Sequence, residues 1–189
     1  MAGVGTSMQI TAVDQDLNLF RVTDVFPPSL VQQVLDTDWA NMPWQPQPGH
    51  QKKRRKIDNA ALEWIQQWND YCEELWPRIA TALDRPVAQY SGTGWWVDEP
   101  GFICGIHTDG EMPGAIQITW TGHNLGTAFY HYNNPAALRY QVEAGPNAGY
   151  LMINNADSTG YRKLQWHGML TPVPANSLRV SSYSWLTTK

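Results

Sequence analysis

Apolar positions follow two different periods along this chain. Up to about residue 86 they recur at helical spacing. Leu30, Val31, Val34 and Leu35 form one face of a helix that Pro27-Pro28-Ser29 opens and that runs to about Trp39. Leu62, Ile65, Trp68, Tyr71, Cys72, Leu75 and Ile79 stripe a second, longer helix, which Asp58 is placed to cap and which reaches about Leu83. Pro77 lies inside that stripe, so a kink or break is expected near Leu75-Trp76. Leu17-Asn18-Leu19-Phe20-Arg21-Val22 reads as a short strand ahead of both helices. From Val87 onward the pattern changes to short runs separated by Gly, Pro and Asn, at 90–97, 102–107, 115–121, 127–132, 137–142, 150–154, 164–170 and 178–186. Eight such runs predict a sandwich or jelly roll. The helices are expected to pack on one of its sheets.

A length of 189 residues suggests a single domain, with an N-terminal strand and helices at 1–86 and a β core at 87–189. Ten Trp and eight Tyr favour an aromatic-rich core over an aromatic substrate mouth. A net charge of −4 gives no reason to expect nucleic acid as a partner. The run Lys52-Lys53-Arg54-Arg55-Lys56 reads as a solvated surface segment, with a site for an acidic or phosphate-bearing partner as the alternative. Two Cys, Cys72 and Cys104, make no disulfide framework, which fits a reducing cytoplasmic setting. The N-terminus shows no signal-peptide pattern, and no apolar run approaches the about 18 residues of a membrane span.

The candidate chemistry centres on Gly105-Ile106-His107-Thr108-Asp109-Gly110. If this run continues as strand, His107 and Asp109 point to the same face and Thr108 to the other. An imidazole and a carboxylate make two legs of a metal site, and His167 is the best candidate for the third. Two His and one carboxylate with open positions suit non-haem Fe(II) oxygen chemistry. Arg179 and Ser181 share a strand face beyond His167, and a guanidinium fork with a hydroxyl can grip a terminal carboxylate. Tyr183 and Trp185 would extend that wall. His123 and His131 have no carboxylate two residues away and are set aside as ligands.

The ordered set His107-x-Asp109, His167, Arg179-x-Ser181 resembles the Fe(II)- and 2-oxoglutarate-dependent dioxygenase superfamily, in particular its prolyl-hydroxylase-like members. Asp98-Glu99-Pro100-Gly101 and Gly126-Thr127-Ala128-Phe129-Tyr130 are similar to turns and strands of those proteins, and the resemblance covers about residues 90–189. It implies a mainly β fold, a double-stranded β-helix with N-terminal helices packed on one sheet. It also implies Fe(II) on His107, Asp109 and His167, with the distal carboxylate of 2-oxoglutarate on Arg179 and Ser181. The implied reaction uses dioxygen and turns 2-oxoglutarate into succinate and carbon dioxide while a C–H bond of a small metabolite, amino acid or peptidyl residue is hydroxylated. Trp120 and Gln117 are the candidates for auxiliary cosubstrate contacts.

Departures from the prolyl-hydroxylase pattern are Asp98 in place of an aromatic, Cys104 in place of a Tyr, and Arg179 in place of a Lys. They argue against assuming a prolyl substrate. The rival readings are a cupin-like, non-oxidative metalloprotein and a jelly-roll binding module with a dead site. A nucleobase demethylase rests only on the cationic run. The polar stretch 155–163 just before His167 reads equally as a lid or as an ordinary hairpin loop.

Overall fold

The computed structural model describes residues 8–15, 18–45, 53–84, 89–109, 113–122, 126–131, 134–143, 145–153 and 165–187. The strands are β1 (Gln9–Asp14), β2 (Leu19–Thr23), β3 (Trp44–Gln45), β4 (Arg54–Ile57), β5 (Gln89–Asp98), β6 (Gly114–Thr119), β7 (Thr127–His131), β8 (Asn134–Val142), β9 (Ala148–Ile153), β10 (His167–Gly168) and β11 (Arg179–Thr187). The helices are α1 (Pro28–Asp36) and α2 (Ile65–Ala82). A large sheet runs β1-β2-β9-β6-β11-β5-β4-β3, and a small one runs β10-β7-β8. This is the expected two-layered jelly roll, with both helices on the outer face of the large sheet. No described helix is long and apolar enough to cross a membrane.

Strict alternation places the two faces of the large sheet. On β11, Val180 and Leu186 enter the core beneath the helices, while Arg179, Ser181 and Tyr183 turn toward the small sheet. On β5, Trp95 and Val97 face the helices while Trp96 and Asp98 face the other way. The helix-side core is aromatic, as the composition suggests: Phe26 stacks on Trp68 at 3.9 Å, and Trp95 packs edge-on to Trp68 at 4.8 Å. Trp68 Nε1 donates to Thr93 Oγ1 at 3.0 Å, so the ring meets its polar need inside the core.

The helical segment departs from the pattern in two ways. Asp58 caps a separate 3-10 turn, Asn59–Ala61, by accepting from the Ala60 N–H, and α2 begins only at Ile65. The helix then continues unbroken through Pro77, which sits on its exposed face, where water can serve the carbonyl the proline cannot reach.

The cationic run is also corrected. Lys52 lies outside the described residues, and Lys53 is exposed, but Arg54, Arg55 and Lys56 lie in β4, paired with β5. Ile57, fully buried against the helices, fixes the parity of this strand, so Arg54 and Lys56 fall on the side of the small sheet.

Candidate active site

The segment that carries His107 and Asp109 is not the strand that its apolar pattern suggests. β5 ends at Asp98, and Glu99-Pro100-Gly101-Phe102 makes a turn with Gly101 at φ 79° and the Phe102 N–H bonded to the Glu99 carbonyl at 3.0 Å. Glycine at the third position is what a type II turn requires, and proline is favoured at the second. Residues 102–107 then run as irregular chain beside 167–173, tied by Val173 N to Phe102 O at 2.8 Å and Met169 N to Cys104 O at 2.9 Å. His107 and His167 exchange both backbone hydrogen bonds at 2.9 Å. A Cβ on Gly168 would stand 3.0 Å from the Gly105 carbonyl, so a glycine permits this close approach. The bridge, rather than a continuous strand face, brings the two histidines together.

Asp109 completes the group. One ligand atom from each of His107, Asp109 and His167 can be chosen so that all lie within 4.8 Å of one another. His107 Nε2 is 3.4 Å from Asp109 Oδ1, and His167 Nε2 is 3.3 Å from Asp109 Oδ2. The far nitrogens are fixed by carbonyls: His107 Nδ1 to Gly105 O at 2.8 Å and His167 Nδ1 to Gln165 O at 3.0 Å. A carbonyl only accepts, so each Nδ1 carries a hydrogen, and each neutral ring keeps its Nε2 lone pair for the centre. Tyr183 donates its hydroxyl to Asp109 Oδ2 at 2.6 Å and so orients the carboxylate.

The electrostatics match this arrangement. Burial opposes ionisation of Asp109, but its close contacts with His107 and His167 and the Tyr183 hydroxyl together hold its carboxyl well below the usual carboxylate range. Asp109 in turn, with Cys104, raises the His107 imidazole to about 10 when nothing else sits between them. Burial first, then the Asp109 charge, pushes the Tyr183 hydroxyl well up, so it is a donor at neutral pH.

The triad opens on a cavity of about 320 Å³ whose walls include Arg54, Trp96, Gln117, Arg179, Tyr183 and Trp185. Arg179 is 2% exposed and donates through Nη1 to Asp98 Oδ2 at 2.8 Å, with Thr119 Oγ1 at 3.3 Å from Nη2 and Ser181 Oγ at 3.4 Å from Nη1. Its Nε has no hydrogen-bond partner among the described residues.

No protein-family model matches the sequence, and no curated protein matches it. Solved structures do. A Pseudomonas putida prolyl-4-hydroxylase is similar at a TM-score of 0.59 and 13% identity, over 90% of this chain and 92% of the other. An oxidoreductase of the 2OG-Fe(II) oxygenase family from Burkholderia pseudomallei is similar at 0.58 and 13%, over 91% and 85%. HygX from Streptomyces hygroscopicus, solved with nickel, 2-oxoglutarate and hygromycin B, is similar at 0.55 and 9%, over 91% and 84%.

The chain has the fold of the 2OG-Fe(II) oxygenases. Within this oxygenase fold, His107, Asp109, His167, Arg179 and Gln117 line one cavity, with Ser181 fully buried beside Arg179. Gln117 accepts the Tyr150 hydroxyl through Oε1, on the pocket side of β6. Trp120 does not belong to the site. It is 1% exposed, lies on the helix side with Trp68 and Trp95, and donates to Ser182 Oγ at 2.9 Å. His131 ends β7 away from the cavity lining, while His123 and the stretch 155–163 lie outside the described residues.

Two residues of the charge cluster around Arg179 are not singled out by the sequence; Arg54 lines the cavity and Asp98 does not. Asp98 is fully buried and is the counter-ion of Arg179, where water or a passing anion would be expected for a lone guanidinium. Arg54 holds the same carboxylate from the opposite side, Nε to Oδ1 at 2.7 Å and Nη2 to Oδ2 at 3.3 Å. The signal for Arg54 was Arg54-x-Lys56 alternating with Arg55-x-Ile57, a strand pattern hidden inside a block of like charge.

Proposed function

We propose that this protein is an Fe(II)- and 2-oxoglutarate-dependent oxygenase that hydroxylates an unactivated C–H bond. The observation that carries the proposal is the convergence of two Nε2 atoms of fixed tautomer and one oriented carboxylate on a single point beside a buried arginine. His107, Asp109 and His167 are the metal ligands in this reading. Three protein ligands leave positions open for a chelating cosubstrate and dioxygen, as this ligand class requires.

Arg179 and Ser181 receive the distal carboxylate of 2-oxoglutarate. The fit is chemical: a buried guanidinium with an unsatisfied Nε, flanked by the hydroxyls of Thr119 and Ser181, is a donor cluster that an anion completes. Iron and 2-oxoglutarate, when bound, would serve to activate dioxygen, which is the oxidant: one oxygen atom would enter succinate as carbon dioxide leaves, and the other would go to the substrate carbon. The chain's own residues orient and enclose. Tyr183 fixes Asp109, the Gly105 and Gln165 carbonyls fix the imidazoles, and Trp96, Trp185 and Met169 contribute wall that limits water.

The similar solved structures include a prolyl-4-hydroxylase and HygX with hygromycin B bound, so the fold leaves open a small-molecule or a peptidyl substrate. The supporting test is succinate formation from 2-oxoglutarate under air, with and without Fe(II), in the parent and in Asp109→Ala. Turnover that needs Fe(II) and is abolished in Asp109→Ala is expected. Metal binding without any 2-oxoglutarate consumption would favour the cupin-like reading.

A further inference from the structure

Arg54, Asp98 and Arg179 stand directly opposite one another on three adjacent strands, β4, β5 and β11. Asp98 is fully buried and Arg179 nearly so, while Arg54 keeps 19% of its side-chain surface exposed. Arg54 is also packed against two aromatic rings. Its guanidinium lies 4.7 Å from the Phe102 ring centre and 5.1 Å from that of Trp96, and its Nη1 is 3.9 Å from Cys104 Sγ. The row therefore holds two fixed cations and one fixed anion.

Asp98 already occupies Nη1 of Arg179, so a carboxylate arriving at Arg179 comes close to an existing carboxylate. Alone with Arg179, the two anions would share one cation at short range. Two like charges about 6 Å apart in an effective dielectric of about 20 would weaken binding by up to about a hundredfold. Arg54 restores the balance: two cations then face two anions.

We propose that Arg54 is a positioning residue for the dicarboxylate cosubstrate, acting by neutralising Asp98 so that Asp98 can hold Arg179 without repelling the incoming distal carboxylate. Arg54 acts through Asp98 and does not itself contact the reacting atoms. The inference rests on the oxygenase reading above and adds to it the cation that the arginine anchor needs.

The test compares the parent with Arg54→Gln, Arg54→Lys, Asp98→Asn and the double variant Arg54→Gln/Asp98→Asn. Binding of 2-oxoglutarate to Mn(II)-loaded protein is measured by calorimetry, and thermal melts establish that each variant is folded. Arg54→Gln should bind about ten- to a hundredfold more weakly, and Arg54→Lys should fall between it and the parent. The double variant should return to within about threefold of Asp98→Asn, because removing the negative charge makes the second cation unnecessary. A 2-oxo acid without a distal carboxylate, 2-oxobutyrate, should bind parent and Arg54→Gln alike.

A purely structural Arg54 predicts no such rescue. If the double variant binds as weakly as Arg54→Gln, or if Arg54→Gln binds 2-oxoglutarate as the parent does, the inference is overturned and the oxygenase reading stands. If the Mn(II)-loaded parent binds no 2-oxoglutarate at all, both fall together.

Discussion

Replacing Arg179 with Met keeps the apolar stem of the side chain and removes the guanidinium fork. Two consequences can be separated from the structure. Asp98 would lose a 2.8 Å partner but keep Arg54 at 2.7 and 3.3 Å, so its charge is not abandoned in the interior. The stability cost should therefore be about 2–3 kcal/mol, below the roughly 3–5 kcal/mol of leaving a buried charge without any counter-ion. The cosubstrate loses more than the fold does. Hydrogen bonds to a charged group are worth about 1.5–3 kcal/mol each, and a bidentate grip makes two, so affinity for 2-oxoglutarate should drop by over about a hundredfold. Arg179→Lys should fall between, since it keeps charge without the fork. Ser181→Ala should cost only about 1 kcal/mol, because Ser181 Oγ is a long 3.4 Å from the guanidinium and is at most one donor to the ligand. Urea denaturation gives the first number, and calorimetric titration of 2-oxoglutarate into Mn(II)-loaded protein gives the second. An Arg179→Met protein that binds 2-oxoglutarate as tightly as the parent would refute the anchor assignment.

Two further outcomes test the scaffold beneath the site. A Cβ on Gly149 would collide with the Gln117 carbonyl across the β6–β9 pairing, so Gly149→Ala should lower the urea midpoint by an amount equivalent to about 2–3 kcal/mol; an unchanged midpoint would contradict the register. Burial pushes the Cys72 thiol up to about 12, so the folded state resists ionisation that the unfolded chain undergoes near the ordinary thiol value of about 8.5. Stability owed to this difference is intact below about pH 8.5 and declines as pH rises toward 12; by pH 10.5 the parent should lose up to about 2.5 kcal/mol that Cys72→Ala does not lose. Identical pH profiles for the two proteins would contradict the burial of this thiol.

The helices and most of the strands were legible because each buries one face, and a single buried face imprints a period. Trp95 with Val97, and Val180 with Leu186, carry that imprint. The metal triad was legible for a different reason: His107, Asp109 and His167 are chemically rare in combination, although the strand geometry expected for them was wrong. Their segment is held by a backbone bridge between His107 and His167, beside the close approach of Gly168 to the Gly105 carbonyl, and such pairing leaves no periodicity. The partner of Arg179 was illegible for the same kind of reason. Asp98 and Arg54 meet Arg179 only through the lateral order of β4, β5 and β11, a long-range choice that no local pattern encodes. Five consecutive cations suggest solvent, and only the buried Ile57 at their end reveals the strand parity that turns Arg54 inward.

The central claim is that His107, Asp109 and His167 together hold one catalytic metal ion. Anaerobic calorimetric titration of Fe(II) into the parent and into His167→Ala tests it most directly, because His167 comes from a different sheet than the arginine anchor. The account predicts one site per chain in the parent, with affinity lowered by at least about tenfold in His167→Ala. Equal affinity in the two proteins would place the metal elsewhere and contradict the account.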